Sequence, residues 1–383
     1  MISITDKSKC CGCTACMNIC PVQCIVMRRD REGFDYPVAN PDICISCGRC
    51  ESVCPMEDAR PSAEPLETFA ARSGEYVKGS SSGGVFPALA QKVIEAGGVV
   101  YGAVLEPDLK VVHTEVADME GVERMRGSKY VQSELYAAFE DVRTSLQDGV
   151  KVMFTGTPCQ IAGLKSFLGR DYEGLITVDC ACHGVPSPGL WEKYVRALGD
   201  RHGLTLTGVD FRNKTRSWRR YDFVLKGDGQ AIVTPSRENP YMLLFLQDMT
   251  LRPSCYECSF RGGRSGSDLT LADLWNVAEA APEMDDDKGV SLVLVNTERG
   301  RSALHSADVG LRQVDRAVAV RRNGGFVPSG SMPQMRGEFF QGHHSAKDLI
   351  GYMDKFVIRE GWLQSSYRRI RSLLSKIKRR IMK

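Results

Sequence analysis

The sequence predicts an α/β protein, α+β overall, in which a small βαββαβ domain precedes a larger mixed-sheet α/β domain. Three observations support this prediction. A cysteine–proline pattern occurs twice in the first 60 residues, a proline-rich stretch follows at 55–65, and strands alternate with helices from about residue 68. We expect the small domain at residues 1–60, a linker at 61–67, α/β segments at 68–150 and 151–345, and C-terminal helices at 346–383.

The composition is that of an ordinary folded protein, with 43% hydrophobic and 25% charged residues. No apolar run approaches the length that spans a bilayer, and the N-terminus lacks the pattern of a secretory signal, so we expect a cytoplasmic protein. Fifteen cysteines in that reducing compartment indicate metal or redox chemistry rather than disulfides. The formal net charge of +3 includes the basic side chains of residues 368–383, which leaves an acidic body and predicts no nucleic-acid binding.

The repeat at the front of the chain is the strongest signal. The spacing Cys-x2-Cys-x2-Cys-x3-Cys-Pro is typical of bacterial ferredoxins with two 4Fe–4S clusters, in which the fourth cysteine of each run binds the other cluster. We assign Cys10, Cys13, Cys16 and Cys54 to cluster 1, and Cys44, Cys47, Cys50 and Cys20 to cluster 2. Zinc also binds four thiolates, but zinc sites rarely contain such a run and need no crossed ligand. Cys11 and Cys24 are interpreted as small packing residues.

The body alternates strands and helices. A helical pattern follows a glycine-rich loop and covers residues 85–94, and strands are predicted at 99–105, 152–154 and 175–179, with helices between and after them. This order favours a mostly parallel sheet. Residues 206–234 alternate around the turn Gly227-Asp228-Gly229 and predict antiparallel strands. The remaining predicted elements are a helix at 241–246, a loop at 255–258 and strands at 269–274 and 290–296.

Five further cysteines fall in the body, mostly in loops after strands, where α/β sheets place their sites. These are Cys159, Cys180, Cys182, Cys255 and Cys258. Four of them, Cys159, Cys182, Cys255 and Cys258, are enough for a third 4Fe–4S cluster. The alternative is that Cys159 and Cys180 are buried packing residues and that the Cys255–Cys258 pair is a vestigial or zinc knuckle.

Five ordered segments resemble the family of coenzyme F420 (deazaflavin) hydrogenase/dehydrogenase β subunits. They are KGSSSGGVFPALA (78–90), RGSKYVQS (126–133), FTGTPCQIAGL (154–164), CHGVPSP (182–188), and CYECSF followed by DLTLADLW (268–275). The resemblance runs from about residue 68 to about residue 345. It implies a flavoprotein domain that carries FAD and passes electrons between iron–sulfur clusters and an organic hydride donor or acceptor.

The resemblance makes three loops candidates for FAD binding. Their residues are Ser80, Ser81, Ser82, Gly83, Gly84, Ser128, Lys129, Tyr130, Thr155, Gly156 and Thr157. Hydroxyls and backbone N–H groups at a helix start suit a pyrophosphate, and Lys129 could neutralise a phosphate or stabilise the reduced flavin. Alternatively, Ser82 caps a helix, Lys129 is a solvated surface charge and residues 155–158 form only a tight turn. No separate nicotinamide or ATP motif is present in the sequence.

His183, Lys129 and Cys159 are the candidate catalytic residues. His183 could donate a proton, or it is a structural histidine bonded to backbone. The basic segment Arg212–Arg220 could hold an anionic substrate with Trp218 stacked on it, or it is a charged hairpin edge. The pair His343-His344 is interpreted as a surface feature.

Residues 368–383 form an amphipathic basic tail, with Ile370, Leu373, Leu374, Ile377 and Ile381 on one helical face. Such a helix suits peripheral contact with an anionic membrane. Alternatively, the tail packs on a partner or is disordered.

Together these features predict an iron–sulfur flavoprotein oxidoreductase with two 4Fe–4S clusters, FAD and a third cluster. A flavin is expected because clusters carry one electron and hydride chemistry needs two. Its partners would be a redox protein or small ferredoxin and an organic hydride donor or acceptor. The alternatives are an electron-transfer subunit without substrate chemistry of its own, a tailoring reductase in cell-surface polysaccharide or lipid synthesis, and a redox sensor.

Overall fold

The computed structural model describes residues 1–57, 64–327 and 330–359. The predicted basic tail at 368–383 lies outside the described residues, as does the first part of the predicted linker. Within the described part there are sheets of two, three and eight strands. None of the helices described there is long and apolar enough to cross a membrane.

The first 57 residues contain a β-hairpin and two short helices. In chain order these are α1 (Ala15–Asn18), β1 (Ile25–Arg29), β2 (Asp35–Ala39) and α2 (Arg49–Ser52). The strands pair antiparallel, with Ile25 opposite Ala39. These elements are the centre of the predicted βαββαβ order, and its outer strands are not formed in residues 1–57. Ile2 instead packs into a small cluster with Cys24, Ile25 and Cys50.

The remaining strands belong to the body. They are β3 (Glu67–Arg72), β4 (Val99–Leu105), β5 (Val111–Val116), β6 (Val152–Gly156), β7 (Leu175–Cys180), β8 (Leu206–Asn213), β9 (Asp222–Gly227), β10 (Gln230–Pro235), β11 (Leu269–Asp273), β12 (Ser291–Val295) and β13 (Gly310–Gln313). The eight-stranded sheet has the order β13-β3-β12-β11-β7-β6-β4-β5. Its centre, β4-β6-β7-β11, is parallel, and the other neighbouring strands pair antiparallel.

The sheet is therefore mixed, as the fold class predicted, and the expectation of a mostly parallel sheet is wrong. Alternation of strands and helices indicates crossovers but does not show which strands become neighbours. A parallel neighbour needs a crossover, usually a long helix. Residues 274–290 between β11 and β12 contain only a four-residue α-helix at Val277–Ala280 and a short 3-10 turn, so β12 returns antiparallel to β11.

The body contains eleven α-helices within the described residues. They are α3 (Val85–Glu95), α4 (Met119–Met125), α5 (Ala138–Gln147), α6 (Pro158–Leu168), α7 (Pro188–His202), α8 (Pro240–Leu246), α9 (Val277–Ala280), α10 (Glu298–Ser306), α11 (Arg316–Val320), α12 (Arg336–Gly342) and α13 (Leu349–Phe356). Helix α6 begins where the backbone N–H of Thr157 donates to the side chain of Gln160 at 2.8 Å, with Pro158 in its first turn. This start fixes the position of Cys159.

Strands β8, β9 and β10 form an antiparallel three-stranded sheet, which confirms the prediction for 206–234. Its turn uses Asp228 and Gly229 with positive φ angles. The sheet shares an aromatic core with α7 and α8 that includes Trp191, Tyr194 and Tyr241, and the N-terminal Phe34 and Tyr36 are buried in the same cluster. The cysteine-rich front of the chain is thus packed into the body.

Candidate functional site

The eight cysteines of the N-terminal repeat line two separate cavities. Cys10, Cys13, Cys16 and Cys54 line the first cavity. Cys20, Cys44, Cys47 and Cys50 line the second cavity. The fourth cysteine of each run is exchanged between cavities, in the arrangement that the spacing predicts. Left-handed backbone at Gly12 and Thr14, and again at Ser46 and Gly48, forms the tight loop that turns the thiols of each run toward one space.

The spread of these thiols matters for the choice between zinc and iron–sulfur clusters. A tetrahedral zinc site with Zn–S distances of about 2.3 Å brings its four sulfurs within roughly 4 Å of one another. Within the described residues, no three His, Cys, Asp or Glu side chains converge closely enough to hold a single metal ion. Four cysteines line each cavity, which is the ligand set of a 4Fe–4S cluster.

The two cavities differ in exposure. Cys10 and Cys13 of the first cavity are buried, whereas Cys47 of the second is exposed. The neighbours Ile43 and Ile45 of the second cavity are 50% and 60% exposed. The second cavity therefore lies at the protein surface, and the first lies against the body.

The cysteines outside the repeat pattern border these cavities. Cys24 is buried beside the second cavity, with its Sγ 3.5 Å from that of Cys20. Cys11 is buried in the core cluster of Phe139 and Phe154, and it lines the first cavity and a third one. Both occupy packed positions, as we expected from the sequence.

Cys159, Cys182, Cys255 and Cys258 line a third cavity, about 440 Å³ including its open mouth. Cys159 stands in the first turn of α6, after β6, and Cys182 follows β7. Cys255 ends a short 3-10 turn at Pro253–Cys255. Burial raises the pKa of the Cys255 thiol to about 12, so a bound cation would have to displace its proton. The structure brings together the four cysteines that were candidates for a third cluster.

Cys180 behaves differently from these four. It is exposed at the end of β7 and does not line the three cavities found in the described residues. Cys180 is therefore not one of the thiols that the third cavity brings together.

Two buried arginines, which the sequence analysis did not single out, also line the third cavity. Arg252 is 1% exposed and Arg261 is 6% exposed. Arg261 donates to the backbone oxygens of His183, Gly324 and Val327, and neither arginine has a carboxylate partner among the described residues. A guanidinium cannot lose its proton in a protein, and an uncompensated buried charge is costly. An anionic group in the cavity would compensate the charges of these two arginines, and four cluster-bound thiolates would supply it.

The first two predicted flavin loops lie side by side. The backbone N–H of Ser128 donates to Ser81 Oγ at 2.7 Å. Gly84 has a φ of +82° at the start of α3, and a Cβ on Gly83 would lie 2.4 Å from the carbonyl oxygen of Ala71. Ser82 does not cap α3, because its hydroxyl donates to the carbonyl oxygen of Val290 at 3.0 Å. The glycines are needed for this close approach of the loop to the sheet.

Lys129 is not a solvated surface charge. Its Nζ donates to the carbonyl oxygens of Met125 at 2.8 Å, Arg126 at 3.1 Å and Gly127 at 3.3 Å. Burial lowers its pKa to about 7, against the opposing effect of Asp210. Its neighbour Tyr130 packs against Phe245, with ring centroids 4.7 Å apart.

Two cations from the basic segment reach the same region. Lys214 Nζ donates to the carbonyl oxygen of Ser82 at 2.7 Å, and burial lowers its pKa to about 8 with a further contribution from Arg212. Arg212 is 5% exposed and its Nη1 lies 2.5 Å from Asp273. Its Nε and Nη2 are buried without a partner in the part of the chain that the structure describes. Such unpaired donors suit an anion.

Trp218 and the double histidine differ from expectation. Trp218 is 0% exposed and stacks on Trp275 at 5.0 Å, so it is not free to stack on a ligand as the sequence suggested. The prediction that His343-His344 is a surface feature is wrong for His343, which is buried with its Nδ1 2.8 Å from the carbonyl oxygen of Phe340. His344 is exposed. Side-chain burial at the end of a helix could not be read from the pair alone.

The third predicted flavin loop lies at the carboxyl end of β6. Thr155 Oγ1 donates to the carbonyl oxygen of Tyr101 at 3.1 Å, and Thr157 Oγ1 lies 3.2 Å from Cys159 Sγ. Gly156 ends the strand between them. This loop therefore holds Cys159 at the third cavity, and a contact with flavin stays a prediction.

His183 Nε2 lies 2.7 Å from Asp248 Oδ1, although not in hydrogen-bonding alignment. Its ring meets Phe245 edge-on at 5.2 Å between centroids. The structure thus gives His183 a carboxylate neighbour beside the third cavity. Catalytic roles for His183, Lys129 and Cys159 stay predictions.

Comparison with known proteins separates two parts of the chain. Residues 149–314 match the family described as the C terminus of the coenzyme F420 hydrogenase/dehydrogenase beta subunit. Residues 9–57 match the 4Fe–4S dicluster domain. The two matches agree with the division between the cysteine-rich front and the body.

Individual relatives show the same division. The F420H2 dehydrogenase of Methanosarcina mazei has an F subunit that is 26% identical over 173 residues, which are 41% of this chain and 48% of the relative. Ferredoxin-1 of Caulobacter vibrioides is 39% identical over 61 residues, 16% of this chain and 50% of the relative. The chain thus spans about half the length of these curated relatives. A chain of the F420-reducing NiFe hydrogenase complex from Methanosarcina barkeri superposes with a TM-score of 0.48 and 18% identity, covering 69% of this chain and 88% of that chain.

Proposed function

We propose that the chain is an iron–sulfur flavoprotein oxidoreductase. The premise is that residues 149–314 belong to the family of coenzyme F420 hydrogenase/dehydrogenase β subunits and follow a 4Fe–4S dicluster domain. The chain would pass electrons between its clusters and an organic hydride donor or acceptor of the deazaflavin-coenzyme type. The observation that carries this proposal is the shared wall between the first and the third cysteine-lined cavity. Cys11 and Met56 line both the first and the third cavity, so the N-terminal cluster sites and the family domain share a wall.

The cysteine cavities fit iron–sulfur clusters in number, residue type and charge. Cluster 1 would be held by Cys10, Cys13, Cys16 and Cys54, cluster 2 by Cys20, Cys44, Cys47 and Cys50, and cluster 3 by Cys159, Cys182, Cys255 and Cys258. When bound, such clusters accept and release one electron at a time. The protein contributes backbone N–H groups, such as those of Ile2 on Cys50 Sγ and Ser46 on Cys44 Sγ, both at 3.4 Å.

The proposed flavin site is supported by its excess of positive charge. Lys129 and Lys214 donate only to backbone carbonyls among the described residues, and Arg212 keeps two unpartnered donors. A pyrophosphate beside the Ser80–Gly84 loop would compensate these cations. When bound, FAD supplies the coupling between one-electron carriers and a two-electron acceptor or donor. Lys129 would hold its positive charge toward the bound group, and Tyr130 would fill the adjacent wall.

Chemical analysis of anaerobically purified protein tests the proposal. We expect about twelve irons, an equal amount of sulfide and one FAD per chain, since each of three clusters contains four irons. Eight irons with FAD would remove the third cluster and keep the flavoprotein. Eight irons without flavin, even after reconstitution with FAD, would contradict the flavoprotein proposal.

A second candidate is an electron-transfer subunit without substrate chemistry of its own. The relative from Methanosarcina mazei is by its name one subunit of a larger dehydrogenase. This candidate predicts stable association with a catalytic partner and no turnover of a hydride donor by the isolated chain. Assaying the purified FAD-loaded chain with reduced deazaflavin and an artificial one-electron acceptor separates the two candidates.

A further inference from the structure

Arg252 lies between the first and third cysteine cavities. Its Nε donates to the carbonyl oxygen of Cys10 at 2.7 Å, and its Nη2 lies 3.6 Å from Cys10 Sγ. On the other side it lines the third cavity, where its carbonyl oxygen accepts the backbone N–H of Cys255 at 2.9 Å. One guanidinium therefore contacts a proposed ligand of cluster 1 and borders the site of cluster 3.

The charge of Arg252 has no acidic partner in the described residues. Its other donors reach the carbonyl oxygen of Asp35 at 2.9 Å and Oε1 of Gln132 at 3.0 Å, and its guanidinium lies 4.2 Å from the ring centroid of Tyr36. Among the other deeply buried arginines, Arg261 at the third cavity also lacks a carboxylate partner in the described residues, whereas two others have one. Arg212 is paired with Asp273, and Arg336 is paired with Glu32.

The surrounding backbone is shaped around this side chain. Gly12, in the first cysteine run, has a φ of +72°, and a Cβ there would lie 2.9 Å from Arg252 Nη1 and 2.7 Å from Gln132 Nε2. The loop that carries Cys10 and Cys13 can approach the arginine this closely because position 12 is glycine. The contact is thus part of how the cysteine loop is seated in the body.

We propose that Arg252 is the buried counter-charge of cluster 1 and holds its reduction potential above that of cluster 2. Reduction makes a cluster more negative by one charge, and a nearby cation and an N–H donor to a ligand sulfur both stabilise the reduced form. The other cations that line the first two cavities are exposed and screened by water. They are Lys9 at the first cavity, and at the second Arg49 and the N-terminal ammonium of Met1, which is paired with Glu51 at 3.2 Å. Arg252 acts here as a positioning and potential-setting residue, since it binds no reacting atom of a substrate.

The proposed difference in reduction potential would set the direction of electron transfer within the chain. The second cavity lies at the surface, so a cluster held by Cys20, Cys44, Cys47 and Cys50 would be the one that a donor can reach. If cluster 1 is the better acceptor, one electron lost by cluster 2 would be gained by cluster 1, and no proton would be required. Cys10, Cys13, Cys16 and Cys54 would then hold the reduced cluster beside the third cavity.

Redox titration of the full chain, followed by electron paramagnetic resonance under anaerobic conditions, tests this inference. Arg252→Gln removes the charge, and Gln132→Glu neutralises it while keeping the arginine in place. We expect both variants to shift the reduction equilibrium of cluster 1 at least tenfold toward the oxidised form, which is about 59 mV for one electron. The cluster 2 signal, identified by its change in Cys47→Ser, should keep its potential. Lys9→Gln is the matched control, because it removes an exposed cation from the lining of the same cavity.

The inference rests on the proposed N-terminal clusters and not on FAD. The iron content and spectra of the wild type establish those clusters before any variant is compared. Absence of the clusters would therefore be distinguished from an unchanged potential in the variants. If Arg252→Gln fails to assemble cluster 1, the cluster 1 potential of the Gln132→Glu variant tests the inference instead. A cluster 1 potential unchanged from wild type in a variant with full iron content, or an equal shift in Lys9→Gln, would overturn the inference.

Discussion

Arg336 and Glu32 form an ion pair between helix α12 and the turn of the N-terminal β-hairpin, with Nη1 2.8 Å from Oε1. Arg336 is buried and also donates to the carbonyl oxygen of Leu251 at 2.9 Å. The pair therefore joins the cysteine-rich front, the segment before Arg252 and a C-terminal helix. Breaking one partner of a buried pair leaves the other charge uncompensated.

We expect Glu32→Gln to lower the free energy of unfolding by about 3 kcal/mol, because it leaves the buried Arg336 without its carboxylate. Denaturant unfolding of the full chain measures this loss. The control is Lys92→Gln, which breaks the exposed pair of Lys92 with Glu95 and should change stability by less than about 0.5 kcal/mol. A change in Glu32→Gln as small as that of the control would show that the pair does not hold the two parts together.

The third cavity predicts a specific pattern of iron loss. Cys255→Ser should lower the iron content by roughly four atoms per chain and leave the N-terminal clusters intact, since each cluster holds four irons. Cys180→Ser is the matched control, because Cys180 is exposed and does not line the three cavities of the described residues. Iron and sulfide assays give the result. Equal iron in both variants and wild type would assign the third group of cysteines to packing.

The N-terminal cysteine cavities could be predicted from the sequence because their signals are local. The repeat places four cysteines within eleven residues, and its spacing alone predicted which cysteine each run gives to the other cavity. Arg252 had no such signal: a single arginine is usually exposed, and its partners Cys10 and Gln132 are 242 and 120 residues away in the chain. Its position three residues before Cys255, and that of Arg261 three residues after Cys258, was the available hint.

The fold, too, could be predicted from the sequence only where its signals are local. Helices at 85–95 and 158–168 follow from apolar periodicity and from the loops that precede them. Strand neighbours depend on contacts that periodicity does not contain, so the antiparallel position of β12 between β3 and β11 was not predictable. Burial of His343 likewise depends on helix α12 packing its aromatic side chains against α13.

The position of Arg212 in the proposed flavin site predicts that its replacement weakens FAD binding. Its Nε and Nη2, which have no hydrogen-bond partner in the described residues, would bind the pyrophosphate. Arg212→Gln should therefore weaken FAD binding about tenfold or more, as expected for lost hydrogen bonds to a charged group. Equilibrium dialysis or fluorescence titration of the flavin-depleted protein measures the dissociation constant. Arg220→Gln is the control, because Arg220 lies in the same basic segment and is exposed. Equal affinities in the two variants would place the flavin elsewhere.

The two half-buried lysines of the proposed flavin site predict a pH dependence of the same binding step. Burial lowers the pKa of Lys129 to about 7 and that of Lys214 to about 8. Both ammonium groups therefore lose their charge as the pH rises through 7 to 9, well below the usual pKa of a lysine. We expect FAD affinity to fall over this range, and to fall less steeply in Lys214→Gln. An affinity that is flat from pH 6.5 to 9 would contradict a role for these cations.

The apolar rim of the second cavity predicts where electrons arrive. Ile43 and Ile45, at 50% and 60% exposure, flank Cys44 and stand beside the exposed Cys47. Exposed apolar side chains at a surface cluster suit contact with a small one-electron carrier such as a ferredoxin, since apolar burial holds partners together while the clusters approach. Ile45→Glu should lower the second-order rate of reduction by reduced ferredoxin about tenfold and leave reduction by dithionite unchanged. Val233→Glu, an exposed apolar position on β10, is the control and should change neither rate. Stopped-flow absorbance at the cluster bands separates the outcomes: an equal loss with dithionite would indicate damage to cluster 2, and no loss with ferredoxin would move the docking surface away from this rim.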